Sequence, residues 1–320
     1  MKVIIQRDLY SRSYETFSKA SKEYGIQFIQ TDVLDEDTIL KHHNEGVSCI
    51  VIGAEAYSQK FYNSLREGTS VIRYGVGYNA VPIDICLRRN IKVGYTPGTL
   101  TDSIAEHTFA LLLGVVRKIP EHHQSVKAGE WKGLTGIELK NKTIAVIGYG
   151  QIGQAVAKIA KWGFGMQISA FDMKEIKNDS LFDSFSNNFC EAVKDADIVT
   201  IHLASSSETK DFINREKIDM MKHGTILINT ARGDLIAEKD LYEALKCGKI
   251  SAAGLDVFEK EPYLPDSKYD FRKLTNVVLT PHCGSNTAEA SNRIANLVVK
   301  NISAFYSSSE MILIPEMKNK

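Results

Sequence analysis

The sequence predicts an α/β protein built from two doubly wound parallel-sheet domains. Three observations lead to this fold class. Short apolar runs have the length of buried strands, amphipathic segments of helix length separate them, and 320 residues suit two domains of roughly 100–200 residues each. Strand–helix alternation of this kind places parallel strands in a sheet that helices cover on both faces.

Five apolar runs in the first part of the chain predict five strands, at residues 3–5, 26–29, 49–52, 71–72 and 91–93. A longer segment over 101–118 follows. Thr101 or Asp102 can cap its start, and Pro120 comes after its end. Because the second half of this segment is apolar nearly all round, we expect a buried helix, and we place the first crossing between domains here.

A second alternating series predicts strands at residues 143–147, 167–171, 198–201, 225–228, 252–255 and 277–279. A last amphipathic helix runs from about Thr287 to Phe305, and its apolar face must pack against another element. We therefore predict one domain from residues 1–101 and 288–320, with a second domain over 102–287 inserted into it.

Bulk composition excludes several classes of protein. Lys+Arg and Asp+Glu both number 39, so no net charge favours nucleic acid or an anionic membrane. No apolar run approaches the ~18 residues of a membrane span. The apolar run at the start of the chain is too short for a signal peptide. The five cysteines form no CxxC pair, which favours reduced thiols in a cytoplasmic protein. The pairs His42-His43 and His122-His123 lie on polar stretches, so we expect solvated side chains and no metal site.

A glycine-rich turn carries the first functional signal. Gly148, Gly150 and Gly153 form a GxGxxG pattern between a predicted strand and a predicted helix, and Asp172 ends the next strand, 19 residues after Gly153. Gly148 permits the tight turn, Gly150 lets the backbone approach a pyrophosphate, and Gly153 allows the helix to pack closely on the strand. The phosphates of a dinucleotide would then meet free N–H groups at the helix N-terminus.

Asp172 decides which dinucleotide the turn favours. Its carboxylate can accept hydrogen bonds from a ribose diol, and its charge would repel a 2′-phosphate. The sequence therefore predicts a Rossmann domain that binds NAD rather than NADP. A glycine-rich turn without a ligand is the alternative.

Three further segments, at residues 229–233, 254–262 and 280–285, each follow a predicted strand of the inserted domain. Ligands of open α/β sheets bind outside the carboxyl ends of the strands, so we expect Arg232, Asp256, Glu261 and His282 to converge on one cleft. Taken singly, these residues have structural alternatives. Arg232 can be a surface ion-pair residue, Glu261 a solvated carboxylate and His282 a structural histidine.

At these residues the sequence resembles the D-isomer-specific 2-hydroxyacid dehydrogenases, and the resemblance covers essentially the whole chain, including residues 75–79 and 103–107. It implies a flavodoxin-like substrate domain around the inserted Rossmann domain, and a homodimer. It also implies a catalytic set of Arg232, Glu261 and His282. The cofactor contacts that it implies, beyond the glycines and Asp172, come from Gln151, Ile152, Thr230, Ala231, Asp256 and Ser285.

The chemistry of these side chains agrees with hydride transfer between NAD and a small D-2-hydroxy acid or 2-oxo acid. His282 can donate a proton to the substrate oxygen or remove one in reverse, and Glu261 can orient the ring and favour its protonated form. Arg232 offers a planar fork to the carboxylate, and amides near Val76 and Gly77 can hold its other face. The alternative function is an NAD(H)-sensing, corepressor-like binding protein on the same fold.

The substrate is less constrained. Relatives that act on 3-phosphoglycerate often carry an arginine after the third strand, where this chain has Gly53, Ala54, Glu55 and Ala56. A missing cation and an added carboxylate suit a phosphate poorly, so glyoxylate, hydroxypyruvate and pyruvate rank above phosphoglycerate. Arg73 is either a second cation for the substrate carboxylate or a structural arginine at a strand end.

Overall fold

The computed structural model describes residues 1–176, 179–264 and 269–318. The chain forms two compact units. Unit 1 consists of Met1–Leu100 together with Asn286–Lys320, and unit 2, Thr101–Ser285, is inserted between these two segments. Each unit contains one parallel sheet with helices, which confirms the predicted fold class.

Unit 1 has a five-stranded sheet in the order β2-β1-β3-β4-β5, with every neighbouring pair parallel. This is the flavodoxin-like order. The strands are β1 (Lys2–Gln6), β2 (Gln27–Thr31), β3 (Cys49–Ile52), β4 (Ser70–Arg73) and β5 (Lys92–Gly94). The helices are α1 (Arg7–Arg12), α2 (Tyr14–Tyr24), α3 (Glu36–Asn44), α4 (Gln59–Ser64), α5 (Ile83–Arg88) and, after unit 2, α12 (Ala288–Tyr306).

The central strand β3 shows why this sheet has no polar face. All four of its residues are buried. Cys49 and Val51 point into one apolar cluster, and Ile50 and Ile52 point into a second cluster on the other face. Helix α12 closes the first cluster with residues of one stripe, among them Ile294, Val298 and Ile302. Helix α12 therefore packs on the sheet of unit 1.

His43 corrects one prediction, because its side chain is fully buried and not solvated. Its Nδ1 donates to the carbonyl of Val47 at 2.7 Å, and its Nε2 accepts from the backbone N–H of Arg66 at 3.0 Å. An imidazole that donates at one nitrogen and accepts at the other is neutral. Burial lowers the pKa of His43, and the neighbouring charge of Arg66 acts in the same direction. The polar sequence around His43 does not indicate this buried, hydrogen-bonded side chain, because its partners come together only in the folded chain.

We expect His43 to make unit 1 less stable in mild acid. The pKa is lower in the folded than in the unfolded chain, so the stabilisation is complete above the unfolded value of about 6.5 and is lost as the pH falls towards the folded value. The free energy of unfolding in urea, measured at about pH 7.5 and about pH 5.5, should therefore change less in His43→Gln than in the wild type. His42→Gln, which alters the neighbouring and more exposed ring, is the control. An identical pH dependence in all three proteins would contradict this role.

Unit 2 has a seven-stranded parallel sheet in the order β12-β11-β10-β9-β6-β7-β8. The strands are β6 (Thr143–Ile147), β7 (Gln167–Phe171), β8 (Ser184–Ser186), β9 (Ile198–Ile201), β10 (Thr225–Asn229), β11 (Ile250–Leu255) and β12 (Val277–Leu279). The helices are α6 (Thr101–Val116), α7 (Ile119–Lys127), α8 (Gln151–Lys158), α9 (Phe189–Val193), α10 (Arg215–Met220) and α11 (Glu238–Cys247). The first three strands of unit 2 run outward from β6, and the chain then crosses to β9 on the other side, as in the Rossmann order.

All six strands predicted for this part of the chain are present, and the short edge strand β8 was missed. Its three residues contain one apolar side chain, the half-buried Phe185, which is too little alternation to be recognised. The second half of α6 is buried through Leu111, Leu112 and Val115, as its composition predicted. All five cysteines are free thiols. Within the described ranges, no helix is both long enough and apolar enough to cross a bilayer.

Candidate active site

The glycine turn lies where the sheet of unit 2 changes direction. Gly148 follows β6 with φ of 96°, a left-handed conformation that favours glycine. A Cβ atom at Gly148 would lie 2.6 Å from the carbonyl carbon of His202, which follows β9. At Gly153 a Cβ atom would lie 2.2 Å from the carbonyl oxygen of Gly148. The turn therefore packs tightly against the backbone that follows β6 and the backbone that follows β9. Neither Gly148 nor Gly153 can be replaced without moving this backbone.

Helix α8 starts directly from this turn, with Gly150 as its N-cap. The first helical hydrogen bond runs from the N–H of Gln154 to the carbonyl of Gly150, so the amides of Gln151, Ile152 and Gly153 precede it. Gly150 and Gln151 are exposed. Amides at a helix N-terminus, reached over a glycine without a side chain, form a site for a pyrophosphate. The turn thus fits the dinucleotide that the sequence pattern predicts.

Asp172 follows β7 and braces the turn. Its Oδ2 accepts from the N–H of Tyr149 at 2.9 Å, and its Oδ1 accepts from the N–H of Lys174 at 3.0 Å. Each carboxylate oxygen can accept more than one hydrogen bond, so both keep capacity for a ribose hydroxyl. The carboxylate is also held in one orientation by these two backbone donors.

The loop after β10 presents Arg232. Asn229, the last residue of that strand, accepts from the N–H of Ala231 at 3.0 Å and donates from Nδ2 to the carbonyl of Arg232 at 2.8 Å, which ties the loop into a compact turn. Thr230 is buried, and its hydroxyl lies 2.9 Å from that of Thr108 in α6. The sequence therefore folds residues 229–232 back on their own strand.

The guanidinium of Arg232 is half-buried and donates to the carbonyl of Ala231 at 2.6 Å. Among the residues that the structure describes, no carboxylate lies within 4.0 Å of this guanidinium. Burial lowers the pKa of Arg232, although an arginine remains charged at any physiological pH. A charge held out of water without an ion-pair partner is available to an anionic ligand.

Glu261 and His282 come together behind β11 and β12. His282 Nδ1 lies 2.7 Å from Glu261 Oε2, and Glu261 Oε1 accepts from the N–H of Phe258 at 3.0 Å. Burial would raise the pKa of Glu261, but the hydrogen bonds from His282 and Phe258 outweigh it and hold the pKa below its ordinary value. Glu261 is therefore an ionised carboxylate that engages Nδ1 of the imidazole and does not engage Nε2.

The backbone at His282 is held in a left-handed conformation, with φ of 51°, which is uncommon for a residue with a side chain. Asp256 explains how this conformation persists. Its carbonyl accepts from the N–H of His282 at 2.7 Å, and its buried carboxylate accepts from the N–H groups of Cys283 at 2.9 Å and Gly284 at 2.8 Å. Asp256, predicted as a cofactor contact, thus directs its carboxylate into the loop that carries His282.

His107 in α6 completes this network, and apart from the family resemblance no sequence pattern singles it out. Its Nε2 lies 3.1 Å from the hydroxyl of Thr280 and 3.2 Å from Oδ1 of Asp256. With Cys283, these residues bring nitrogen, oxygen and sulfur atoms within 4.8 Å of one another. Since Oδ1 of Asp256 already accepts from Thr280 at 2.6 Å and from the N–H of Cys283, we interpret the group as a hydrogen-bond network. The absence of a metal site stays a prediction.

The remaining predicted residues lie in two places. Ser285 is half-buried and ends unit 2. Arg73, Val76 and Gly77 belong to unit 1, where Arg73 ends β4 and donates to the carbonyl of Tyr74. Its guanidinium covers Gly75, so that a Cβ atom there would lie 2.7 Å from Nη1. Val76 and Gly77 are half-buried in the loop that follows.

Taken together, a dinucleotide turn and a carboxylate–histidine pair at the carboxyl edge of one sheet define a dinucleotide-dependent oxidoreductase. The model of the D-isomer specific 2-hydroxyacid dehydrogenase NAD-binding domain matches residues 109–284. The chain belongs to this family, and it transfers hydride between a bound nicotinamide dinucleotide and a hydroxy acid or oxo acid.

Named relatives agree with this assignment. The chain is 40% identical over 260 residues to a glyoxylate reductase of Thermococcus litoralis, covering 78% of this chain and 76% of the relative. It is 36% identical over 276 residues to a hydroxypyruvate reductase of Thermotoga maritima, covering 86% and 89%. Among solved structures, an NADPH-dependent glyoxylate/hydroxypyruvate reductase of Sinorhizobium meliloti, in complex with NADP and malonate, superimposes with a TM-score of 0.85 at 25% identity, covering 98% and 97%.

Proposed function

We propose that this protein is an NAD-dependent reductase of small 2-oxo acids, with glyoxylate and hydroxypyruvate as its preferred substrate class. The observation that carries the proposal is the 2.7 Å contact between Glu261 and His282, on the same sheet edge as Arg232. Relatives of similar length that are named for these two reactions support the substrate class.

In the proposed reaction, bound NADH supplies a hydride to the carbonyl carbon of the acid. His282 donates a proton from Nε2 to the carbonyl oxygen, so the ketone or aldehyde is reduced to the alcohol and NADH is oxidised to NAD. Glu261 accepts the hydrogen bond from Nδ1 and orients the ring for the transfer. Asp256 is a positioning residue, since it holds the backbone around His282 in place.

Arg232 binds the carboxylate of the substrate in this proposal. Its half-buried guanidinium has a planar set of donors and no ion-pair partner among the described residues, which suits bidentate binding. Val76 and Gly77 remain proposed contacts of the substrate. Arg73 covers Gly75 and donates to its own loop, so its contacts support the structural alternative for that residue.

We propose NAD rather than NADP because Asp172 lies beside the glycine turn, where its carboxylate can bind a ribose diol. Its carboxylate is fixed by the N–H groups of Tyr149 and Lys174, so it cannot swing away from a 2′-phosphate without losing both bonds. Thr230, Ala231 and Ser285 remain proposed cofactor contacts.

Asp172→Ala should narrow the preference for NADH over NADPH by about tenfold or more, because it removes both the acceptor for the ribose hydroxyls and the repulsion of the 2′-phosphate. The ratio of kcat/KM for the two cofactors measures the effect. Asp183→Ala removes an exposed carboxylate that binds Lys161 in the same unit, and it serves as the control. A cofactor ratio unchanged by Asp172→Ala would refute the assigned role.

The experiment that tests the proposed function is NADH oxidation, followed by absorbance, with glyoxylate, hydroxypyruvate, pyruvate and 3-phosphohydroxypyruvate. We expect turnover of the small acids and little turnover of the phosphorylated acid. No turnover of any acid together with tight NADH binding would favour a cofactor-sensing protein instead. The Glu261–His282 pair favours the enzyme, because a sensor has no use for a proton donor.

We also propose a homodimer in a reducing, cytoplasmic compartment. Helix α7 has no buried residue, and exposed apolar side chains lie on it and just after it, at Ile119, Val126 and Trp131. A second copy of the chain would cover this surface. All five cysteines are free, which suits a reducing environment. Sedimentation at micromolar concentration distinguishes the dimer from a monomer.

A further inference from the structure

Two loops at the carboxyl edge of the unit 2 sheet divide the proposed chemistry between them. The loop after β10 carries Arg232, and the loop after β11 carries Glu261. These strands pair in parallel, so both loops leave the same edge of the sheet. Burial lowers the pKa of Arg232, and the negative charge of Glu261 opposes this effect, so the two side chains interact through their charges. Binding of the acid and proton transfer to it therefore depend on the spacing of these loops.

The two loops touch each other through their backbones. A Cβ atom at Gly233 would lie 1.8 Å from the carbonyl carbon of Phe258 and 2.3 Å from the nitrogen of Glu259. Phe258 is buried and stacks on Tyr263, with 4.0 Å between the ring centroids. The first residues of the β11 loop are therefore fixed against the β10 loop, and no side chain fits between them.

Beyond this contact the β11 loop runs into solvent, and one side chain tethers it. Residues 259–261 are exposed. The N–H of Glu259 donates to Oε1 of Glu238 at 2.9 Å. Glu238 is half-buried and is the first residue of α11, which begins a few residues after Arg232. The bond therefore ties the exposed part of the β11 loop to the element that continues the β10 loop.

The side chain of Asn229 holds the Arg232 loop independently of this tether. It accepts from the N–H of Ala231 and donates to the carbonyl of Arg232. Loss of the bond between Glu259 and Glu238 should therefore release the loop of the proton-transfer pair and leave the carboxylate-binding side chain in place. A negative charge at the start of a helix also stabilises that helix, which is the structural alternative for Glu238.

We infer that Glu238 is a positioning residue, whose carboxylate holds the β11 loop so that Glu261 and His282 face the acid bound at Arg232. This role requires an acceptor oxygen at the full reach of a glutamate side chain, and it does not require the charge. The inference rests on the proposed function and adds to it a residue that acts through Glu261.

Glu238→Asp and Glu238→Gln separate reach from charge. Aspartate keeps the charge at the start of α11 on a shorter side chain, whereas glutamine keeps the length and an acceptor oxygen without the charge. We expect Glu238→Asp to lower kcat for glyoxylate reduction by about tenfold to 100-fold and to change KM by less than about threefold. Glu238→Gln should keep kcat within about threefold of the wild type. Glu243→Asp, the same change at an exposed position of α11, is the control and should keep the wild-type kcat.

A double-mutant cycle shows whether Glu238 acts through Glu261. In a Glu261→Gln background, Glu238→Asp should lower kcat little further, because the loop then has no carboxylate to position. The value of kcat is expressed per NADH-binding site, measured by the fluorescence of bound NADH, so a loss of folded protein does not lower it. A wild-type kcat in Glu238→Asp, an equal loss in Glu238→Gln, or additive losses in the cycle would each overturn the inference while the proposed function stands.

NMR of the His282 ring decides the inference if no acid turns over and the proposed function fails. The Nδ1 signal reports the hydrogen bond to Glu261, and its absence from His282→Ala assigns it. This signal should shift in Glu238→Asp and keep its wild-type position in Glu238→Gln. A signal that Glu238→Asp leaves in place would show that Glu238 does not position the pair.

Discussion

His282→Ala should lower kcat for 2-oxo acid reduction by about 10²–10⁴-fold, the usual contribution of a positioned general acid. The imidazole is the group that Glu261 orients at 2.7 Å, and alanine leaves no proton donor at that position. The affinity for NADH should change little, because the glycine turn and Asp172 lie behind other strands of the sheet. Stopped-flow or steady-state NADH oxidation measures kcat, and fluorescence of bound NADH measures the affinity.

His123→Ala is the matched control, since His123 is exposed in α7 and takes no part in the site. It should retain wild-type kcat. A His282→Ala protein that folds, binds NADH and turns over within a few-fold of the wild type would remove His282 from the chemistry. If His282→Ala loses both NADH binding and turnover, the loop after β12 has collapsed. His282→Gln, which keeps the side-chain volume, then replaces it as the test variant.

Arg232→Leu should weaken transition-state binding by about 2–5 kcal/mol, which corresponds to a roughly 30-fold to several-thousandfold lower kcat/KM. This range describes the loss of one partner from a half-buried charge pair. The guanidinium is the cation behind β10 that lacks an ion-pair partner among the described residues, so the carboxylate of the acid would lose its counter-charge. Arg232→Lys should recover only part of the loss, because an ammonium group cannot form the bidentate pair.

Arg215→Leu provides the control for this prediction. Arg215 is exposed and forms an ion pair with Asp219 on the surface, which contributes little to stability or to any site. It should leave kcat/KM unchanged. An Arg232→Lys enzyme as active as the wild type would show that charge alone suffices, and an active Arg232→Leu enzyme would show that the acid binds elsewhere.

Much of the fold could be predicted from the sequence, because buried parallel strands appear as short apolar runs separated by segments of helix length. The runs at residues 143–147 and 167–171 coincide with β6 and β7. Position within the chain also indicated the site, since residues directly after parallel strands meet at one edge. Prediction was weakest where a residue depends on a neighbour that is distant in sequence.

His43, His107 and Gln6 illustrate that limit. His43 sits in a polar stretch, yet Arg66 and Val47 enclose it. His107 lies on an apolar helix, and its partners Thr280 and Asp256 are more than a hundred residues away. Gln6 is an ordinary polar residue at a strand end until Glu55 folds over Gly53 beside it. No local pattern reports such contacts, because each depends on which strands become neighbours.

By itself, the sequence determined the class of fold, the position of the dinucleotide turn and the acidic residue behind it, because these are properties of local spacing and composition. The tertiary structure alone decided the rest. It left Arg232 without a carboxylate within 4.0 Å among the described residues, and it used Asp256 to hold the left-handed backbone of His282. It also tied the N–H of Glu259 to Glu238. The physical reason is the same in each case: hydrogen bonds and burial depend on distance in space, and the packing of parallel strands sets that distance.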